Sequence, residues 1–147
     1  MARFFDIDDA NAALSELRSI LTTLRDERTQ LIALRDEFAR QTTPERGQPS
    51  GGPTDDATSA ESAGDSDERR RLRLRMQGVI DQMQAGVARI DELGVTLREI
   101  ETGLIDFPAL VNGRQVWLCW RLGDDDVAWW HELSEGFSGR RPLAELS

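Results

Sequence analysis

Cys119 and His131 are the only cysteine and the only histidine of the chain. Both lie in one C-terminal span, CWRLGDDDVAWWHELSEGFSGRRP, together with three of the four tryptophans. A thiol and an imidazole this near in sequence raise nucleophilic catalysis, with Cys119 attacking, His131 as its base and Asp106 orienting the ring. Against that stands the setting: a mid-strand cysteine beside tryptophans behaves as a small packed hydrophobe, and no helix N-terminus adjoins it to stabilise a thiolate. Asp106, Cys119, His131 and Glu132, with Glu101 nearby, also mix oxygen, sulfur and nitrogen donors acceptable to a metal. His131, Glu132 and Asp106 are the metal candidates, but there is no CxxC or HExxH spacing, and extended backbone at 131–132 puts His131 and Glu132 on opposite faces. A third chemistry is anion or nucleotide binding, in which Arg121, Arg140, Arg141 and His131 hold a phosphate and a tryptophan stacks on a base. No Walker-type or Rossmann-type spacing accompanies it. The structural alternative for the same residues is a cap, with Trp117, Trp120, Trp129 and Trp130 closing the end of a helical hairpin and Arg140 bridging Glu101 or Asp106. The candidate ligand- or partner-binding set is therefore Asp106, Cys119, Arg121, Trp130, His131, Glu132 and Arg140; no catalytic residue, metal or cofactor is assigned.

Two helices and a small sheet have to position these groups. Between Asp8 and Arg40 the apolar residues Ala10, Leu14, Leu17, Leu21, Leu24, Leu31 and Phe38 keep helical spacing, which predicts a long amphipathic helix over 8–40. Asp6 or Asp8 can cap it, and Arg28 and Arg35 interrupt its stripe, either paired with carboxylates or snorkelling where the seam frays. Residues 41–66 are rich in Pro, Gly, Ser, Thr and acid, a composition expected to form a disordered linker. Leu72, Met76, Val79, Ile80, Met83, Val87, Ile90, Leu93, Leu97 and Ile100 predict a second helix over 67–102, antiparallel to the first. Inside it Gly78, Gly86 and Gly94 recur every eight residues, a spacing that suits close helix approach.

Then the period changes to two. LIDFPALV and RQVWLCWRL flank Asn112-Gly113, a two-residue hairpin turn that fixes the register. Val111 then faces Arg114, Ala109 faces Val116, Phe107 faces Leu118 and Ile105 faces Trp120, an apolar surface for the core. Asp106 falls opposite Cys119 on the other surface, near Arg121. A third strand within DDDVAWWHEL is expected to turn Val127, Trp129, His131 and Leu133 inward and to leave Glu132 beside Arg121, the alternative being a short helix that begins near Trp130 and undoes this assignment. The loop SEGFSGRRPL follows, and the meander with this loop occupies 104–147.

With 27 acidic against 18 basic residues the net charge is −9, which argues against nucleic-acid binding and against an anionic membrane surface. Every basic residue is an arginine. One cysteine makes no internal disulfide, and neither a signal-like N-terminus nor a spanning apolar run occurs, so a cytoplasmic location is expected.

Three passages, FDIDDANAALSELRSIL, ELGVTLREIETGLIDFPAL and GRQVWLCWRLGDDDVAWWHELSEGFSGRRPL, resemble the prokaryotic domain of unknown function 2203 family over the whole chain apart from the linker. The family's tail pattern is matched by Asp106-Phe107-Pro108, by Cys119 to Gly123, by Trp130-His131-Glu132-Leu133 and by Gly136 to Pro142. The resemblance implies no activity; it directs attention to the tail rather than to the helices.

The expected architecture is a single α+β domain spanning 1–147, a long antiparallel two-helix coiled-coil hairpin with a three-stranded antiparallel β-meander at one end. A hairpin leaves apolar helix surface uncovered, so a homodimer is expected. The expected role is a small non-catalytic interaction or assembly protein, its Trp-rich sheet and GFSGRRP loop receiving a protein partner. The alternative is a metal-, phosphate- or nucleotide-binding protein or enzyme using the tail cluster.

Overall fold

The computed structural model describes residues 3–42 and 58–146. Of the expected linker, residues 43–57 lie outside the described residues, while the second helix already begins at Thr58, inside it rather than at 67. Two helices, α1 (Ile7–Thr42) and α2 (Thr58–Glu92), precede five strands: β1 (Thr96–Glu99), β2 (Leu104–Val111), β3 (Arg114–Arg121), β4 (Trp129–His131) and β5 (Arg141–Pro142). The fold class is α+β, with five strands rather than three. The chain divides into two compact units, one of Met1–Arg28 with Met83–Ser147 and one of Thr29–Gln82.

In the first unit, Asp6 caps α1 by accepting the Asp9 N–H at 2.6 Å, with Asp8 and Asp9 placed where the helix dipole favours negative charge. Ala10, Leu14, Leu17, Leu21 and Leu24 are fully buried, so the stripe read from spacing is the core face. Arg89 of α2 donates to Glu16 at 2.7 Å, while Gly86 faces Leu24 and Ile20, so the two helices run antiparallel here. At the seam Arg28 stays part-exposed and reaches Glu101 at 3.8 Å, and Arg35 is exposed, as snorkelling arginines would be. In the second unit, Leu34, Leu72 and Val79 are buried and Arg73 lies over the Phe38 ring.

The second helix stops ten residues short of the expected 102, because 102 − 92 = 10 and its last helical residue is Glu92. Gly94 at φ +82° ends it: its N–H bonds the Asp91 carbonyl at 2.9 Å and the Val95 N–H bonds the Ile90 carbonyl at 3.2 Å. That pair of bonds is a Schellman cap, and its outer residues Ile90 and Val95 are both buried in the core. Of the three regularly spaced glycines, Gly86 stands against Leu24, Gly78 faces open space and Gly94 terminates the helix. Gly94→Ala is expected to lower stability by about 1–2 kcal/mol, since only glycine takes a left-handed cap without strain; thermal unfolding would read it.

The sheet is antiparallel in the order β1-β2-β3-β4-β5. Asn112 and Gly113 both have positive φ, and the β2–β3 register is the one the turn predicts, from Val111↔Arg114 to Leu104↔Arg121. Ile105, Phe107, Ala109, Val116, Leu118 and Trp120 form the buried inner face, clustered with the α1 leucines. The segment before α1 adds to this layer: the Phe5 N–H donates to the Pro108 carbonyl at 2.7 Å and the Phe5 ring meets Phe107 edge-on at 5.1 Å. The turn after β3 is tied to α1, because Arg18 and the Trp120 indole N–H both donate to the Asp125 carbonyl and Asn11 accepts the Val127 N–H.

Candidate functional site

The outer face of the sheet gathers the tail's chemistry. Asp106 on β2 pairs with Cys119 on β3, and Cys119 pairs with Trp129 on β4. His131, two residues further along β4, pairs with Trp117 and therefore projects on the same side as Cys119 and Asp106. The sequence placed His131 inward and Trp130 outward; the structure reverses both. Val127 and Trp130 are both buried on the core side although three residues apart, so the alternation breaks between them. Glu132 is likewise not beside Arg121: its carboxylate binds Arg114 at 2.7 Å.

His131 is 1% exposed and Asp106 2%, and they meet with His131 Nε2 at 3.0 Å from Asp106 Oδ2. The other ring nitrogen, Nδ1, lies 2.9 Å from the Glu132 carbonyl oxygen. A carbonyl only accepts, so the ring's first proton sits on Nδ1. Nε2 then faces the Asp106 carboxylate. Arg98 of β1 holds the same Oδ2 through Nε at 2.8 Å and stacks over Trp117. Asp106 Oδ1 is buried without a partner. An unpaired carboxylate oxygen in the interior is costly.

Cys119 is fully buried and free. Burial first, and the Asp106 carboxylate second, push its thiol up to about 12, against an opposing pull from the Arg140 guanidinium. The thiol is therefore held neutral. Among the described residues, Asp106, Cys119 and His131 bring one carboxylate oxygen, one sulfur and one ring nitrogen within 4.8 Å of one another.

These three side chains form the floor of a cleft of about 250 Å³ whose walls are Arg98, Leu104, Leu133, Glu135, Gly136 and Phe137. Glu135 Oε2 is a second buried carboxylate oxygen without a partner, its Oε1 being bound to Arg141 at 3.3 Å. A smaller hollow of about 100 Å³ shares Leu104 and Phe137 and adds Glu99, Thr102 and Arg121.

Of the seven residues singled out from sequence, Asp106, Cys119 and His131 converge on the cleft. Arg121 lines the neighbouring hollow with its guanidinium over Phe137. Arg140 stacks on Trp129 and Phe137, each at 4.4 Å, and binds Asp124 at 3.3 Å rather than Glu101 or Asp106. Trp130 belongs to the core, flanked by Arg114 and Arg141. Glu132 contributes only its main-chain carbonyl. Arg98, Leu133 and Glu135 were not singled out, and Phe137 entered only as part of the GFSGRRP loop. Arg98 was hidden because its segment carries helical spacing; Leu133, Glu135 and Phe137 sit in a loop without periodicity.

A family model described as an uncharacterized conserved protein, DUF2203, matches residues 3–143. No curated protein matches the chain, and no solved structure does.

Proposed function

Because the chain belongs to the DUF2203 family, whose description states no activity, we propose a function from the site itself: a small-ligand-binding protein whose ligand enters the outer-face cleft. The observation that carries it is a carboxylate and an imidazole, both almost fully buried, lying at the floor of an open cleft with one carboxylate oxygen unpartnered. A sheet built only for packing gains nothing from this arrangement, since burying polar groups without full satisfaction costs stability.

The same geometry argues against Cys119 and His131 as a nucleophile and its base. The thiol is held neutral by its surroundings, and both ring nitrogens of His131 already face oxygens. The reading is therefore binding first. Arg98, part-exposed at the cleft wall, and the apolar Leu104, Leu133 and Phe137 favour a ligand with a polar end and a small apolar body.

The test is amide NMR on the labelled full chain against a library of small polar heterocycles and carboxylates. Shifts should cluster at His131, Leu133 and Gly136. Leu133 is about half exposed, so Leu133→Trp should leave the fold intact, narrow the cleft and abolish those shifts. Shifts scattered along the helices, or unchanged in Leu133→Trp, would sink the reading.

A further inference from the structure

We propose that the cleft floor is a transition-metal site in which Asp106, Cys119 and His131 bind one divalent cation of the zinc class and leave a coordination position open toward the cleft. This deepens, and rests on, the reading of the cleft as the binding site.

Four observations carry the assignment. The three donor atoms already lie within 4.8 Å of one another. Bonds of about 2.0–2.3 Å to a common ion require separations nearer 3.5 Å, reached by small side-chain rotations. The outer contacts are those a metal site uses: His131 Nδ1 is anchored on the Glu132 carbonyl, which aims Nε2 inward, and Arg98 holds Asp106 Oδ2. Asp106 Oδ1, buried and unpartnered beside the cleft, is left as the oxygen to bind the ion. Finally, Nε2 lies 3.0 Å from a carboxylate oxygen of Asp106, so the imidazole and the carboxylate already converge on one place.

The donor set selects the class of ion. One thiolate, one imidazole and one carboxylate suit a borderline ion such as Zn²⁺ or Co²⁺, whereas Mg²⁺ and Ca²⁺ prefer oxygen alone. On binding, the Cys119 S–H proton and any proton between His131 Nε2 and Asp106 leave to solvent, and the thiolate and the ring nitrogen form bonds to the ion. The two anionic ligands then balance its two positive charges. Three protein ligands plus an open position facing a cleft is the arrangement of sites that polarise a bound ligand or water rather than of closed structural sites. Glu135 lines the same cleft at its wall.

The experiment is titration of chelator-treated full-length protein with Co²⁺, followed in the near-ultraviolet and visible, with Zn²⁺ competition. The expected result is saturation at one ion per chain, with a thiolate-to-cobalt charge-transfer band and the intense visible bands of a low-coordinate site. Zn²⁺ should displace it. Cys119→Ser should abolish the charge-transfer band, and Asp106→Asn should weaken binding by at least about tenfold. If either variant fails to fold by circular dichroism, Arg98→Gln, whose side chain is part-exposed, serves instead and should weaken binding by loosening Asp106. Folded wild-type protein that gives no band, or a band that persists in Cys119→Ser, would overturn the metal site. Protein that takes no cobalt while its small-molecule shifts still vanish in Leu133→Trp would overturn the metal alone; shifts lying away from the cleft would overturn the underlying reading.

Discussion

Gly103→Ala is expected to lower folding stability by about 3 kcal/mol, measured as a fall in the urea midpoint with an unchanged slope. Gly103 stands at φ +66° in the turn between β1 and β2, and a Cβ there would lie 2.5 Å from Leu122 Cγ and Cδ1 and 2.9 Å from Leu122 Cβ. Left-handed backbone costs an alanine about 1 kcal/mol or more. The contact adds a packing term of roughly 1–3 kcal/mol. Leu122 cannot simply swing its tip away, because the clash reaches its branch point and its own N–H is bound to the Gly103 carbonyl at 3.1 Å. Making the same change in Leu122→Ala protein removes the contacts with Cγ and Cδ1, so the alanine should then cost less, keeping the backbone strain and the 2.9 Å contact with the remaining Cβ. A loss below about 1 kcal/mol in the original background would mean the turn opens without resistance. Any opening would also reach the cleft, since Leu104 follows directly and forms part of its wall.

What was legible in the sequence depended on where a local signal pinned the geometry. Asn112-Gly113 fixed every β2–β3 pair, and with it the apposition of Asp106 and Cys119, because a two-residue turn allows no slippage. The α1 core face followed from spacing alone. The end of α2 did not, because Leu93, Leu97 and Ile100 continue the helical period past a glycine that is in fact a cap. The strand hidden there, β1, carries Arg98, so the counterion of Asp106 was missed with it. His131 was assigned to the wrong face because the alternation was counted from Val127. Val127 is tied by Asn11 ahead of the strand, and the regular phase begins only at Trp129. Strand parity survives one irregular residue badly: a single break moves every later side chain to the opposite face.

His131→Ala and Asp106→Ala are each expected to cost about 3 kcal/mol, because the second leaves His131 Nε2 buried without a partner and the first leaves the buried Asp106 held by Arg98 alone. The double alanine variant should cost less than the sum, the difference of roughly 1–2 kcal/mol being the energy the pair shares. Chemical denaturation of the three variants measures it. A more telling comparison is Asp106→Val with His131→Leu, which fills the same space with hydrocarbon. Arg98 loses its carboxylate in that variant, but with a side chain 42% exposed it can turn to water. Buried polar pairs replaced together by apolar groups of similar volume are commonly near neutral or stabilising, so this variant should recover most of what the single substitutions lose. It should also retain neither cobalt nor cleft ligands. Recovery of stability together with loss of binding would mean the fold does not need the pair, and that these polar groups sit at the floor of the cleft for what the cleft receives. A variant as unstable as the two single losses combined would instead make the Arg98–Asp106–His131 chain a structural brace, with the cleft above it incidental.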